Sequence, residues 1–320
     1  MTAPTPAVPL ADALADRPLV LDGGLSQLLE SAGHDLSDAL WSARLLSDSP
    51  ESLTAAHLAY YEAGADVAIT GTYQATFDGF ARHGIGQRHG AELLRTGVAA
   101  ARAAASSAPG RGVDRPLWVA ASAGPYGAML ADGSEYRGRY GLTVDELERF
   151  HRPRLEVLAE AEPDVFALET VPDADEGRAL LRAVSGLGVP AWLSYSVAGV
   201  RTRAGQSLEE AFAPAAEAEE VIAVGVNCCD PRDVEEAVAV AAHVTGKPVV
   251  VYPNSGEIWD AAARGWRGGS VFTAAAARGW ERAGARLIGG CCRVGPGTVG
   301  ELARLLHPRA DGTATERSER

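Results

Sequence analysis

Lysine is almost absent from this chain. Of its 29 basic residues only Lys247 is a lysine, and 42 Asp and Glu bring the formal net charge to −13. A chain with that overall field repels phosphate, which argues against nucleic acid and anionic membrane as partners. Long apolar runs are missing too. No window approaches the roughly 18 residues a spanning helix needs, and the Pro- and Ala-rich start has neither the basic end nor the apolar middle of a signal peptide. The sequence therefore reads as cytoplasmic, with reduced thiols. Cysteine is scarce, four residues in 320, and the four stand as two adjacent pairs, Cys228-Cys229 and Cys291-Cys292. That clustering suggests metal binding or catalysis more than disulfides, and neither pair has the C-x₂-C spacing of common structural zinc sites. A phosphate-binding G-x-G-x-x-G after the first apolar run is also lacking, which counts against a dinucleotide-binding open sheet.

What is present is ordinary globular composition, 47% hydrophobic and 22% charged, arranged as an alternation. Short apolar or β-branched runs occur at Leu19–Asp22, Val67–Thr70, Leu117–Ala121, Val165–Glu169, Ala191–Ser196, Ala223–Asn227, Val249–Tyr252 and Arg286–Ile288. Between them lie segments with apolar residues at i, i+3 and i+4, several ending in Gly just before the next run. Eight such units predict an α/β fold, a single (β/α)₈ TIM-type barrel over residues 18–307. Residues 1–17 and 308–320 are read as flexible terminal segments.

Barrel enzymes place their chemistry at the C-terminal ends of strands, and unusual residues collect there: Asp22-Gly23-Gly24, "TGTYQAT", Glu169-Thr170, Asn227-Cys228-Cys229, "YPNSGE" and "LIGGCCR". Neighbouring side chains of an extended strand point to opposite faces, so one of Cys228 and Cys229 is expected to face the barrel mouth and the other the helix layer. Gly289 and Gly290 let the backbone before Cys291 leave β geometry, so that both following thiols can reach one point. Three thiolates with an open fourth position suit a catalytic Zn²⁺. Buried Cys packing, a vicinal Cys291–Cys292 disulfide and a four-cysteine structural site are the alternatives.

These motifs, in this order from Leu19 to Leu306, resemble the homocysteine S-methyltransferase family, zinc barrels that methylate a thiol. The double cysteine after two glycines is the most specific of them. The resemblance implies zinc ligands at Cys228, Cys291 and Cys292, which would also activate the thiol. It implies homocysteine ammonium binding by Asp22 and Glu169. The Gly23 and Gly24 amides are candidates for the substrate carboxylate, Trp41 for the donor's cation, and Tyr73 for a position that approaches the metal when substrate is absent. Ala39 stands where the family often has proline. Asn254 and Glu257 are mouth residues without an assigned role, and Arg293 reads as structural. The implied reaction is methyl transfer from a sulfonium, S-methylmethionine or S-adenosylmethionine, to homocysteine, giving methionine. Selenocysteine as acceptor, betaine as donor, and a redox or zinc-buffering barrel without transfer chemistry are the rival readings. Small-molecule substrates are the expected partners, with a monomer as the expected state.

Overall fold

A computed structural model describes residues 6, 8–36, 41–260 and 265–307. The eight expected runs form eight parallel strands: β1 Leu19–Val20, β2 Val67–Ile69, β3 Trp118–Ala123, β4 Val165–Val171, β5 Ala191–Tyr195, β6 Val221–Asn227, β7 Val249–Tyr252 and β8 Ala285–Ile288. Each pairs with its sequence neighbour from β2 to β8, and β8 pairs with β1 through Leu19↔Leu287 and Val20↔Ile288. One further parallel bridge, Leu21↔Val67, joins β1 to β2 and closes the barrel. Helices follow every strand, the outer layer including Pro50–Ala63, Gln87–Ser107, Val144–Glu160, Ala174–Val184 and Pro296–Leu306. Gly64 and Gly284 end helices in positive-φ conformations immediately before β2 and β8, where a side chain would be strained.

Strand alternation sorts the core into two layers. Leu19, Leu21, Val67, Trp118, Ala120, Val165, Ala167, Ala223, Val250 and Leu287 fill the barrel interior. Val20, Val119, Phe166, Leu168, Val224, Val226 and Ile288 face outward and pack under the helices.

Within the stretch 1–17 read as flexible, the described residues from Leu10 on are part of the fold. Leu10–Asp16 is a helix whose Leu10 and Leu14 are buried in the interior cluster, closing the barrel opposite the mouth. The Trp118 indole donates to Val8 O at 3.0 Å, Arg286 Nε donates to Leu14 O at 3.1 Å, and Arg17 pairs with the fully buried Asp66 at 3.1 Å. The apolar residues at i, i+3 and i+4 in "LADAL" are the physical cause: they cover the open end of a barrel that the local sequence does not reveal. The expected tail, 308–320, lies outside the described residues. Among those described, no helix is long and apolar enough to cross a membrane.

Candidate metal centre and substrate pocket

A cavity of about 440 Å³ opens at the C-terminal ends of the strands, lined by residues that include Asp22, Gly23, Gly24, Tyr73, Glu169, Cys228, Cys291 and Cys292. The three thiols arrive from β6 and from the turn after β8, and their sulfurs lie within 4.8 Å of one another. Cys228 and Cys291 are joined as a disulfide, Cα atoms 5.7 Å apart, and Cys292 Sγ lies 4.0 Å from that of Cys291. The vicinal disulfide considered above does not form.

Why Cys228 and not Cys229 faces the mouth follows from one backbone step. Along β6, Ala223 points inward and Val224 and Val226 outward, so an unbroken strand would turn Cys228 outward. Cys228 instead takes φ +47°, a left-handed conformation uncommon for a residue with a side chain. That step brings Cys228 to the cavity and sends Cys229 into the sheet–helix layer, where it is fully buried and its thiol pKa is pushed up to about 12 by burial. Asn227 Oδ1 accepts from Thr170 N and from Ser194 Oγ, both at 2.7 Å, while Asn227 Nδ2 donates to Thr170 Oγ1 at 2.8 Å. Thr170 is also left-handed, φ +58°. A single buried amide thus ties the ends of β4, β5 and β6 together beside the thiols.

The Cys291-Cys292 turn hangs from the loop after β7. Cys291 N donates to Pro253 O at 2.7 Å, Cys292 N to Asn254 Oδ1 at 3.1 Å, and Ser255 N to Cys292 O at 2.9 Å. Arg293 pairs with Glu257 at 2.5 Å, and Glu257 also accepts from Ser255 Oγ at 2.8 Å. Asn254, Glu257 and Arg293 therefore hold the turn. On its other side the turn meets the two glycines. A Cβ on Gly23 would lie 2.1 Å from Val294 O, and one on Gly24 2.8 Å from Cys291 O. The Gly24 amide donates to Val294 O at 2.9 Å. It is thereby engaged within the protein, which corrects the expectation that it receives a substrate carboxylate. The pair is needed for close approach of two backbones.

Asp22 and Glu169 face the same cavity from β1 and β4, and both are buried. Asp22 accepts from Ile69 N at 2.8 Å. Burial raises its pKa well above the carboxylate range, the Ile69 bond opposes this, and the charge of Glu169 adds to it. Glu169 accepts from Ser122 Oγ. Burial raises its pKa to about 7, against the hydroxyls of Ser122 and Tyr252, which favour the charged form. Among the described residues neither carboxylate is paired with an arginine, and burial disfavours the charged form of both. Tyr73 lines the cavity, and burial is the first cause of its raised pKa. Trp41 opens the helix Trp41–Asp48, but its side chain and Ala39 fall outside what is described. Sequence reasoning missed Ser122, Tyr252 and the Asn227–Thr170 clamp. Ser122 and Tyr252 are ordinary polar residues within strands, Thr170 and Asn227 were noted only as strand-end residues, and only strand pairing shows what they touch.

With this geometry in hand, comparison with known proteins decides the family. Residues 19–306 match the profile of homocysteine S-methyltransferases. The chain belongs to the homocysteine S-methyltransferase family. Homocysteine S-methyltransferase 4 of Zea mays is 45% identical over 304 residues, covering 90% of this chain and 89% of the relative. A selenocysteine Se-methyltransferase of Brassica oleracea var. italica is 42% identical over 309 residues, covering 91% and 88%. Among solved structures, the metallated form of the Escherichia coli homocysteine methyltransferase MmuM superposes with a TM-score of 0.82 at 39% identity, covering 92% of this chain and 98% of that one. Membership in the family agrees with the closed eight-stranded barrel and with a three-cysteine cluster able to hold a metal.

Proposed function

We propose that this protein transfers a methyl group from a sulfonium donor, S-methylmethionine by resemblance of its motifs, to homocysteine, giving methionine. The observation that carries the reading is the meeting of three thiols and two buried carboxylates in one cavity. The metal is zinc in this reading, held by Cys228, Cys291 and Cys292 once all three are reduced. Soft thiolates suit it, and the 4.0 Å between the Cys291 and Cys292 sulfurs is close to the about 3.8 Å edge of a tetrahedron with 2.3 Å bonds. Bound there, zinc would supply Lewis acidity that keeps an acceptor thiol deprotonated near neutral pH.

The residues of the chain do the rest. Asp22 and Glu169 take the homocysteine ammonium, whose charge offsets the cost of keeping both carboxylates ionised. Gly23 remains the candidate for its carboxylate, and Tyr73 bounds the space in which the sulfur sits. Positioned in this way, the thiolate attacks the donor's methyl carbon in line. The new S–C bond forms as the old one breaks, and its electron pair stays on the donor sulfur, which leaves as a neutral thioether. Opposite charges cancel as the methyl moves, so a cavity shielded from water favours the step. The same soft site would accept a selenolate, a reading supported by the selenocysteine-methylating relative.

The test combines metal analysis of the reduced protein with methionine formation from homocysteine and each of S-methylmethionine, S-adenosylmethionine and betaine. One zinc per chain, loss of activity on chelation, and loss of metal in Cys291→Ala but not in Cys229→Ala are expected. Full activity after chelation, or a Glu169→Ala variant as active as the parent, would sink the reading in favour of a thiol buffer.

A further inference from the structure

Glu169 is surrounded by hydroxyl groups whose protons can be followed one at a time. Ser122, on the neighbouring β3, has its backbone clamped by two threonines just past β2. Ser122 N donates to Thr70 Oγ1 at 3.0 Å, and Thr72 Oγ1 donates to Ser122 O at 2.7 Å. The single hydroxyl proton of Thr72 is committed to that carbonyl, so the 2.7 Å bond between the two threonine hydroxyls runs from Thr70 to Thr72. Both threonine protons and the Ser122 amide proton are thereby engaged. The Ser122 hydroxyl keeps its own proton, and its partner is Glu169 Oε1. An ionised carboxylate only accepts, so that proton points at Glu169.

Among the described residues three phenols line the cavity with Glu169: Tyr73, Tyr136 and Tyr252. Tyr252, at the end of β7, is the one backed by an indole. Trp192 of β5 is fully buried and sends its Nε1–H to the Tyr252 oxygen at 3.1 Å, the rings meeting edge to face with centroids 6.3 Å apart. An indole nitrogen can only donate, which makes Tyr252 the acceptor in that bond and leaves its own proton for another partner. The nearby Ser194 hydroxyl gives its proton to Asn227 Oδ1 at 2.7 Å. Glu169 is the charged acceptor within reach and the stronger one, and its bond from Tyr252 favours the ionised carboxylate. A carboxylate has about four acceptor sites. Ser122 and Tyr252 take two of them, and the rest remain for a ligand. Asp22 is treated in the same way, with Oδ2 tied to Ile69 N at 2.8 Å.

We propose that Ser122 and Tyr252, the latter aimed by Trp192, are positioning residues for the methyl acceptor: their two hydroxyl protons hold the Glu169 carboxylate at one angle, so that the ammonium of homocysteine meets a preset acceptor. The assignment rests on the homocysteine reading above. Neither hydroxyl takes part in the methyl transfer itself. Both act through orientation, because a carboxylate already held in place loses little freedom when its ligand arrives. Their influence is therefore confined to thiols that carry an amino group.

Two thiols decide the matter by calorimetric titration of the zinc-loaded protein without a methyl donor: homocysteine, and 4-mercaptobutanoate, which keeps the thiol and the carboxylate but has no amino group. Ser122→Ala and Tyr252→Phe each delete one oxygen. Each should weaken homocysteine binding about tenfold, as loss of one charged hydrogen bond implies. Each should leave 4-mercaptobutanoate binding and the zinc content nearly unchanged. In turnover with S-methylmethionine the loss should fall on the homocysteine KM, with kcat at saturation kept within about twofold. Equal weakening of both thiols, or a loss confined to kcat, overturns the assignment, as does a wild type that binds the two thiols alike. Should one variant lose its zinc, the other decides. If wild type forms no methionine from any donor, the reaction reading fails, while a tenfold loss selective for homocysteine still supports the assignment and its absence rejects it.

Discussion

Glu169 carries a conflict that its hydrogen bonds do not remove. Its pKa rises from 4.5 to about 7 on folding, with burial as the first cause. Between those two pH values the folded chain holds a proton that the unfolded chain has released, so this group makes the empty protein less stable as pH rises from about 4.5 to about 7. Glu169→Gln removes the cost. Without substrate it is expected to melt a few degrees higher at pH 8, for about 1–3 kcal/mol, with the difference vanishing at pH 4, and to raise the homocysteine KM at least tenfold. Thermal melts at both pH values with steady-state kinetics check this; a variant less stable at pH 8 with unchanged KM would refute it. Asp22 and Glu169 were legible as carboxylates ending apolar strands. Ser122 and Tyr252, which hold Glu169, were not, because hydroxyls inside strands carry no mark of what they face. Cys228 was legible through resemblance to the family, but its left-handed backbone was not, since nothing in "GVNCC" announces a positive φ at a residue with a side chain.

At the scale of elements, the strands were readable almost residue by residue, because parallel strands buried on both faces appear as short apolar runs. The turns between elements were less readable. "LDGG" suggested anion-binding amides but not the packing role of both glycines, which lets the β1 end and the Cys291–Val294 turn touch. The two segments are far apart in sequence, and their contact exists only once β8 pairs with β1. Gly23→Ala should therefore act on the metal cluster without touching it. Its Cβ would press on the Val294 carbonyl, at an expected cost of about 1–3 kcal/mol, and displacement of the turn that carries Cys291 and Cys292 should weaken zinc retention. Competition with a chromophoric chelator, together with denaturant unfolding, measures both. Unaltered zinc retention would mean that the turn is not braced by this contact.

Taken as a whole, the molecule has a chemical end and a structural end. The thiols, carboxylates and Tyr136 sit at one mouth, and the helix Leu10–Asp16 closes the other. Removing residues 1–17 should cost about 3–5 kcal/mol from the lost burial of Leu10 and Leu14 and exposure of the barrel floor they cover, yet leave one zinc per chain. Urea unfolding and metal analysis of the shortened protein test that separation. The helix escaped sequence reading because its partner surface is a closed barrel, which no local window contains. Closure itself has a consequence for the chemical end. The β1–β2 join is a single bridge at Leu21–Val67, and just beyond it Asp22 takes the amide of Ile69. In the empty protein Asp22 is driven towards its neutral form, a weaker acceptor than a carboxylate. An arriving ammonium would ionise it and fasten this clasp, so deuterium uptake at the Ile69 amide should slow when homocysteine is added, turning a piece of the scaffold into a gauge of occupancy.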